Sequence, residues 1–265
     1  MDPYASFKAA QKAGWPMFAS LQASTIQPAA QLVRHARIAP GQRVLDVACG
    51  TGVVAITAAF AGARVAGLDL TPELLERAHE NAAVGGLAID WREGDVEALP
   101  FPDGSFDVVV SQFGHIFAPR PEVALAEMLR VLTPGGTIAF ATWPPEVFVG
   151  AMLALVLRYS PPLPPGIGSP AAWGDPSVVR ERLGTAVRDL VFDRGEVRVP
   201  ALSPAHHRQI TEHTAPPVAR VVQALTGVDD QRLAAFRRDY DALAAEYFEG
   251  NAVRQGYLLT RAVKR

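Results

Sequence analysis

Four short runs rich in Val, Leu, Ile and Ala, at residues 43–48, 64–70, 106–111 and 137–142, carry apolar side chains on successive rather than alternate positions. Runs of that kind form strands buried on both faces, as in a parallel sheet covered by helices. Between them the period changes to that of helices. Residues 73–83 follow Thr71-Pro72, a cap and first-turn pair, and stop at Gly85-Gly86. In 122–132, Leu125, Met128, Leu129 and Leu132 fall on one face. The alternation predicts an α/β chain with a doubly wound sheet, whose ligands sit outside the carboxyl ends of its strands.

After Thr142 the pattern departs from strict alternation. An apolar stretch, 147–157, leads to the proline-rich loop Ser160-Pro161-Pro162-Leu163-Pro164-Pro165-Gly166, with Trp173 beyond it. Strands are predicted at 187–199 and 256–263. A helix is predicted at 231–248, where Leu233, Phe236, Tyr240, Leu243 and Tyr247 repeat at helical spacing. The expected division is N-terminal helices plus a ligand-binding core in 1–143, a cap insertion with one core strand in 144–250, and a last core strand in 251–265.

The chemistry begins at Val44-Leu45-Asp46-Val47-Ala48-Cys49-Gly50-Thr51-Gly52, a strand that runs into a glycine turn and opens a helix. Glycine lets the backbone approach a ligand closely, and the helix turns its N–H groups toward it. Asp69 ends the next apolar run, nineteen residues after Gly50, where an acid accepts hydrogen bonds from two ribose hydroxyls. Together these features predict a nucleoside-bearing cofactor. No GxxxxGK[ST] is present to hold a β/γ-phosphate. The dinucleotide pattern GxGxxG is also missing, since Ala48 stands for its first glycine and Val53-Val54-Ala55 follow the turn.

The turn resembles motif I of the class I S-adenosylmethionine-dependent methyltransferases. The resemblance continues through Gly94-Asp95-Val96-Glu97-Ala98-Leu99-Pro100-Phe101, Ser105-Phe106-Asp107-Val108-Val109-Val110-Ser111 and Arg130-Val131-Leu132-Thr133-Pro134-Gly135-Gly136. In order and spacing these are similar to the branch that holds quinone C-methyltransferases and many small-molecule methyltransferases, with residues 40–142 carrying the match. The resemblance implies a Rossmann-like, seven-stranded, mostly parallel sheet, its last strand (256–263) antiparallel, with a helical cap insertion. It implies S-adenosyl-L-methionine as cofactor, held by Ala48, Gly50, Gly52, Asp69, Leu70, Asp95, Val96 and Ser111. Asp95 would accept from the adenine amino group and the Val96 N–H would face a ring nitrogen.

The same resemblance places Trp15 and Phe18 on a helix that closes over the cofactor, and Trp143 at a strand end beside the site. Trp15 and Trp143 are therefore the expected substrate-pocket residues. His115, just beyond strand four, stands where this fold faces the transferable methyl and where the family often has an apolar residue. It is the candidate catalytic base, suited to taking a proton near neutral pH; a pocket-wall histidine is the alternative. Asp46 either braces the turn or touches ligand, and Cys49 reads as a small packing residue.

Composition narrows the class. The chain has 265 residues, 49% hydrophobic and 20% charged, with a net charge of −2, which gives no reason to expect a polyanionic partner. There is no [DNS]PP[YFW] after strand four and no basic, aromatic-interleaved face, so nucleic acid is not expected as a partner. The single cysteine excludes an intrachain disulfide and the multi-cysteine site of arsenite methyltransferases. His206, His207 and His213 are joined by no carboxylate cluster; they read as surface or lid histidines, and no metal is expected. The stretch Met1-Asp2-Pro3-Tyr4-Ala5-Ser6-Phe7-Lys8 has no signal-peptide core, and 147–157 is too short to span a bilayer. The expected location is the cytoplasm, with no membrane insertion; a homodimer is left open.

These features converge on a methyltransferase acting on an oxygen or carbon of a small, partly hydrophobic acceptor enclosed under the cap. Two alternatives stand beside it. One is a regulatory protein that binds S-adenosylmethionine without turnover; the other is an NAD-type oxidoreductase, against which the altered glycine pattern and the Asp95 motif speak.

Overall fold

The computed structural model describes residues 3–265; Met1 and Asp2, part of the polar start considered above, lie outside the described residues. The chain begins with α1 (Ala5–Gly14), a 3-10 segment Trp15–Leu21 and α2 (Gln22–His35). The core then alternates β1 (Arg43–Val47), α3 (Val53–Phe60), β2 (Arg64–Asp69), α4 (Pro72–Val84), β3 (Asp90–Glu93), β4 (Phe106–Gln112), α5 (Pro121–Arg130) and β5 (Leu132–Thr142). The remainder is α6 (Phe148–Tyr159), α7 (Pro176–Leu183), β6 (Val187–Pro200), α8 (Pro204–Thr214), α9 (Pro216–Leu225), α10 (Asp230–Glu246), β7 (Phe248–Glu249) and β8 (Ala252–Lys264).

The sheet order is β3-β2-β1-β4-β5-β8-β6, with the two-residue β7 paired to β8. Strands β1 to β5 run parallel, and β8 is antiparallel to both β5 and β6. This is the expected mostly parallel sheet with an antiparallel last strand. The central strands have no exposed face: Val44, Leu45, Val47, Val109, Val110, Ile138 and Phe140 are all fully buried, which is why their sequence shows apolar runs without alternation. Strand order reverses between β1 and β4, and a crevice opens there at the carboxyl ends.

Two local expectations are corrected. Thr71 precedes α4, but its hydroxyl makes no cap hydrogen bond; its backbone N–H instead donates to Asp69 Oδ1 at 2.9 Å. Leu132, read as the end of a helix, starts β5 and pairs with Phe106, and a register shift then brings Thr137 beside Val108. Gly135, at φ 76°, lies within that irregularity, where a left-handed backbone suits glycine.

The segment 144–250 supplies β6 to the sheet and stacks α6, α8, α9 and α10 beside the crevice. Phe148, Phe236, Tyr240 and Ala244 of these helices are buried, at 0–1% exposure. Asp229 caps α10 by accepting from the Arg232 N–H at 2.9 Å. Among the described residues, no helix is long and apolar enough to cross a membrane.

Candidate active site

One cavity gathers the carboxyl ends of β1, β2 and β4, the start of α1 and the inner face of the insertion. At its polar end the chain leaves β1 through Ala48 and Gly50, both left-handed, at φ 53° and 54°. The Gly50 N–H donates to Asp69 Oδ2 at 2.8 Å, while Asp69 Oδ1 takes the Thr71 N–H. Asp69 thus ties the glycine turn to the start of α4. Its two oxygens still have lone pairs for a ligand, since a carboxylate offers about four acceptor directions. Burial raises the Asp69 pKa, opposed by the hydrogen bonds from the Gly50 and Thr71 amides.

Asp46 reaches the same cavity from within β1. Its Oδ2 accepts from the Ala55 N–H at 3.0 Å, bracing α3, and its buried Oδ1 has no protein partner. Burial pushes this acid up to about 8. Asp46 therefore has a bracing oxygen and a free one. Burial likewise pushes the Cys49 thiol up, so it stays protonated and inert, packed beneath the turn.

Beyond β3, Asp95 Oδ1 accepts from the Glu97 N–H at 2.9 Å, forming an Asx turn, and Oδ2 pairs with Lys8 of α1 at 2.6 Å. Lys8 also pairs with the buried Glu97, which holds Arg120 by its backbone and guanidinium. Lys12 pairs with Glu93. Ion pairs from β3 and the following loop thus hold α1 across the mouth of the cavity. Trp15 lines the cavity at the end of this helix, its Nε1 donating to Gln11 Oε1 at 3.2 Å and its ring edge-on to Phe117.

Ala48, Gly50, Asp69, Leu70, Asp95, Val96, Trp15 and Trp143 all line this one cavity, whereas Gly52, Ser111 and His115 do not. Gly52 is required by packing: at φ 80°, a Cβ there would meet the Trp91 ring at 2.5 Å. Ser111 is fully buried, donates to Val47 O at 2.7 Å and accepts from the His115 N–H, so it ties β4 to β1.

His115 is corrected from catalytic base to core residue. Gly114 passes so close to Ala48 that a Cβ there would lie 2.6 Å from the Ala48 Cβ, and Phe113 takes a left-handed backbone at φ 61°. Phe113 therefore occupies the cavity wall, stacked on Trp143 at 3.8 Å, and the His115 ring turns away. It packs against Phe140 and Trp173, neither nitrogen has a protein partner, and its exposure is 1%. Burial first, and the Arg182 charge second, lower it to about 3, leaving it neutral and sealed off.

The opposite end of the cavity is walled by Phe148, Val149, Met152, Leu153, Val197 and Pro216. Set into this apolar wall is a polar group that sequence reading missed. His207 and Thr211 lie one turn apart on α8, Tyr240 comes from α10 and Gln255 from β8; all four border the cavity, where Gln255 is partly exposed and His207 and Tyr240 are fully buried behind it. Tyr240 Oη is 3.2 Å from His207 Nδ1 and 2.8 Å from Thr211 Oγ1, and Gln255 Nε2 is 3.3 Å from His207 Nε2. Burial lowers His207 to about 4. The one available signal was the i, i+4 spacing of His207 and Thr211; Tyr240 and Gln255 are too distant in sequence to be joined to it. Among the described residues, no cluster of three or more His, Cys, Asp and Glu is placed to hold a metal.

The donor set fits a sulfonium nucleoside. Acids suit hydroxyl and ammonium groups, Asp46 Oδ1 has no protein partner, and the space above the Gly50 Cα is open, with nothing within 4 Å of where a Cβ would lie. A family model described as a methyltransferase domain matches residues 44–136. An uncharacterized protein of Mycobacterium tuberculosis is 38% identical over 238 residues, covering 88% of this chain and 85% of that protein. The demethylmenaquinone methyltransferase of Thermus thermophilus is 42% identical over 106 residues, 39% of this chain and 48% of that one. A Haemonchus contortus phosphoethanolamine N-methyltransferase, solved with phosphomonomethylethanolamine and S-adenosylhomocysteine, shares the fold at TM-score 0.55 and 19% identity, covering 90% of this chain and 52% of that one. Residues 44–136 are a methyltransferase domain, and the chain belongs to one family with the Mycobacterium tuberculosis protein. That domain marks it as an enzyme of methyl transfer.

Proposed function

We propose that the enzyme methylates an oxygen or carbon of a small, partly hydrophobic acceptor held between the strand ends and the helical insertion. The observation that carries this reading is the single continuous cavity, with acids and a left-handed turn at one end and an apolar wall at the other. In this reading Asp69 accepts from the ribose hydroxyls, and Leu70 lies beside the ribose. Asp95 and the Val96 N–H receive the adenine. Ala48 and Gly50 bring backbone close to the methionyl part, with Asp46 Oδ1 free for its ammonium. Trp15 and Trp143 wall the acceptor. The Thermus thermophilus relative acts in menaquinone methylation, as its name states, which supports an apolar acceptor here.

S-adenosylmethionine supplies a methyl already activated by a positive sulfur, so the chain's contribution is placement. Holding donor and acceptor in line can supply roughly 7–11 kcal/mol. The α1 helix and the insertion exclude water from the reacting atoms. With His115 outside the cavity, positioning and desolvation carry the rate. We place the enzyme in the cytoplasm, acting on a small molecule and not on nucleic acid.

Calorimetry with S-adenosylmethionine and with NAD, followed by assay of S-adenosylhomocysteine release on adding a metabolite extract, tests this. Binding of S-adenosylmethionine alone, with extract-dependent release, is the expected result. Binding without release from any extract would favour a regulatory protein, and NAD binding would overturn the proposal.

A further inference from the structure

We infer that His207 and Gln255, backed by Tyr240 and Thr211, form the recognition point for a hydroxyl group, so that the acceptor is an apolar molecule bearing an alcohol or phenol. This rests on the methyl-transfer reading above and adds the acceptor's functional group. Four mutually satisfied polar side chains gain an apolar wall little over apolar packing, and unpairing any one of them costs about 1–3 kcal/mol. Their presence on three separate elements, all bordering one cavity, suits ligand recognition, where a few placed polar groups in an apolar pocket set specificity.

The bond lengths agree. The contact at the far end of the group, Thr211 to Tyr240, is 2.8 Å, whereas the His207–Gln255 contact is 3.3 Å, near the limit for a hydrogen bond. His207 is fully buried behind this contact, so a ligand hydroxyl reaches it by displacing the partly exposed Gln255 side chain.

Proton placement selects the ligand. Thr211 has one proton and three oxygens in reach: Tyr240 Oη, His207 O and Arg208 O. If it donates to a helix carbonyl, Tyr240 donates to Thr211, His207 Nδ1–H donates to Tyr240, and Nε2 is left as an acceptor. If Thr211 donates to Tyr240, Tyr240 donates to Nδ1 and Nε2 carries the proton. The Gln255 amide, which offers both N–H and C=O, complements either state. A hydroxyl suits both arrangements, because it donates and accepts at one atom. An ether or a hydrocarbon does not. Burial keeps His207 neutral at pH 7, so one ring nitrogen remains an acceptor.

The test uses the full chain and matched probes: 4-propylphenol, 4-propylanisole and propylbenzene. S-adenosylhomocysteine binding is measured first by calorimetry; if it fails, the methyl-transfer reading falls and this inference with it. Ligand-observed NMR titrations of the loaded protein follow. The expected result is at least about tenfold tighter binding of the phenol than of either control. That preference should drop below about twofold in His207→Phe and in Gln255→Leu, and return in part in His207→Gln. S-adenosylhomocysteine affinity should be unchanged in all three. Where one variant fails to fold, by its melting transition, the other decides. Equal affinity for the three probes, or a preference that survives in the folded variants, would overturn the inference while leaving methyl transfer intact.

Discussion

The two ends of the cavity are built by opposite means. At the strand ends, ligand-facing groups are held by backbone: the Gly50 N–H and Thr71 N–H grip the Asp69 carboxylate, and the Glu97 N–H grips Asp95. On the insertion side, side chains hold side chains, with His207, Tyr240, Thr211 and Gln255 joined across three elements in an apolar wall. The first kind of site depends on a sheet geometry that tolerates few changes. The second depends on side chains that hold one another, so that changing one unpairs the next. On the function proposed above, the difference assigns the two halves of the specificity: the methyl donor to the fold, and the acceptor to the insertion together with β8.

The largest effect is expected at His115, packed outside the cavity against Phe140 and Trp173. His115→Ala should lower stability by about 3 kcal/mol, at the low end for emptying a buried aromatic site. S-adenosylmethionine affinity should be unchanged. A melting curve paired with calorimetry checks both, and intact stability with lost turnover would return His115 to the chemistry.

Asp69→Ala comes next. Its loss should weaken S-adenosylmethionine binding by about 1.5–3 kcal/mol, since a charged acceptor is removed. It should also lower the melting temperature, because two backbone donors lose their partner. A lower melting temperature with unchanged affinity would reduce Asp69 to a brace.

An effect spread over several pH units comes next. His115 is held near 3 in the folded protein against 6.5 in the free side chain, so below pH 6.5 the unfolded chain takes up a proton that the folded one refuses. Acid therefore favours unfolding. His115→Phe removes this and the two unpartnered nitrogens. Between pH 6.5 and 4, wild-type stability should fall more steeply than the variant's by about 1 kcal/mol per pH unit. Parallel pH profiles in urea melts would show that the ring is solvated.

The least of these effects is at the mouth. The Lys12–Glu93 pair is exposed, so Lys12→Ala should cost at most about 1 kcal/mol of local stability in α1. Hydrogen exchange over residues 5–14 reads it, and a larger effect would make α1 depend on that one pair.

What the sequence reveals follows the same division. The glycine turn, Asp69 and Asp95 were legible because each lies within a few residues of the strand end that presents it. Gly52 and Ser111 follow the same spacing but serve packing, against Trp91 and the Val47 carbonyl, partners that spacing does not disclose. His115 misled for a related reason: position after β4 says which end of the sheet it occupies, while the close passage of Gly114 over Ala48 decides which way the ring turns. His207 was invisible as a site residue because Tyr240 and Gln255 lie 33 and 48 residues away, and only the folding of α8 and α10 against β8 joins them.

Hydrogen exchange of the full chain with and without S-adenosylhomocysteine tests the division most directly. New protection is expected in the turns at 48–53, 70–72 and 94–98 and in α1, with α8 and the middle of α10 unchanged until an acceptor is added. Protection confined to the insertion, or absent from the three turns, would contradict a donor site read by the fold and an acceptor site read by the insertion.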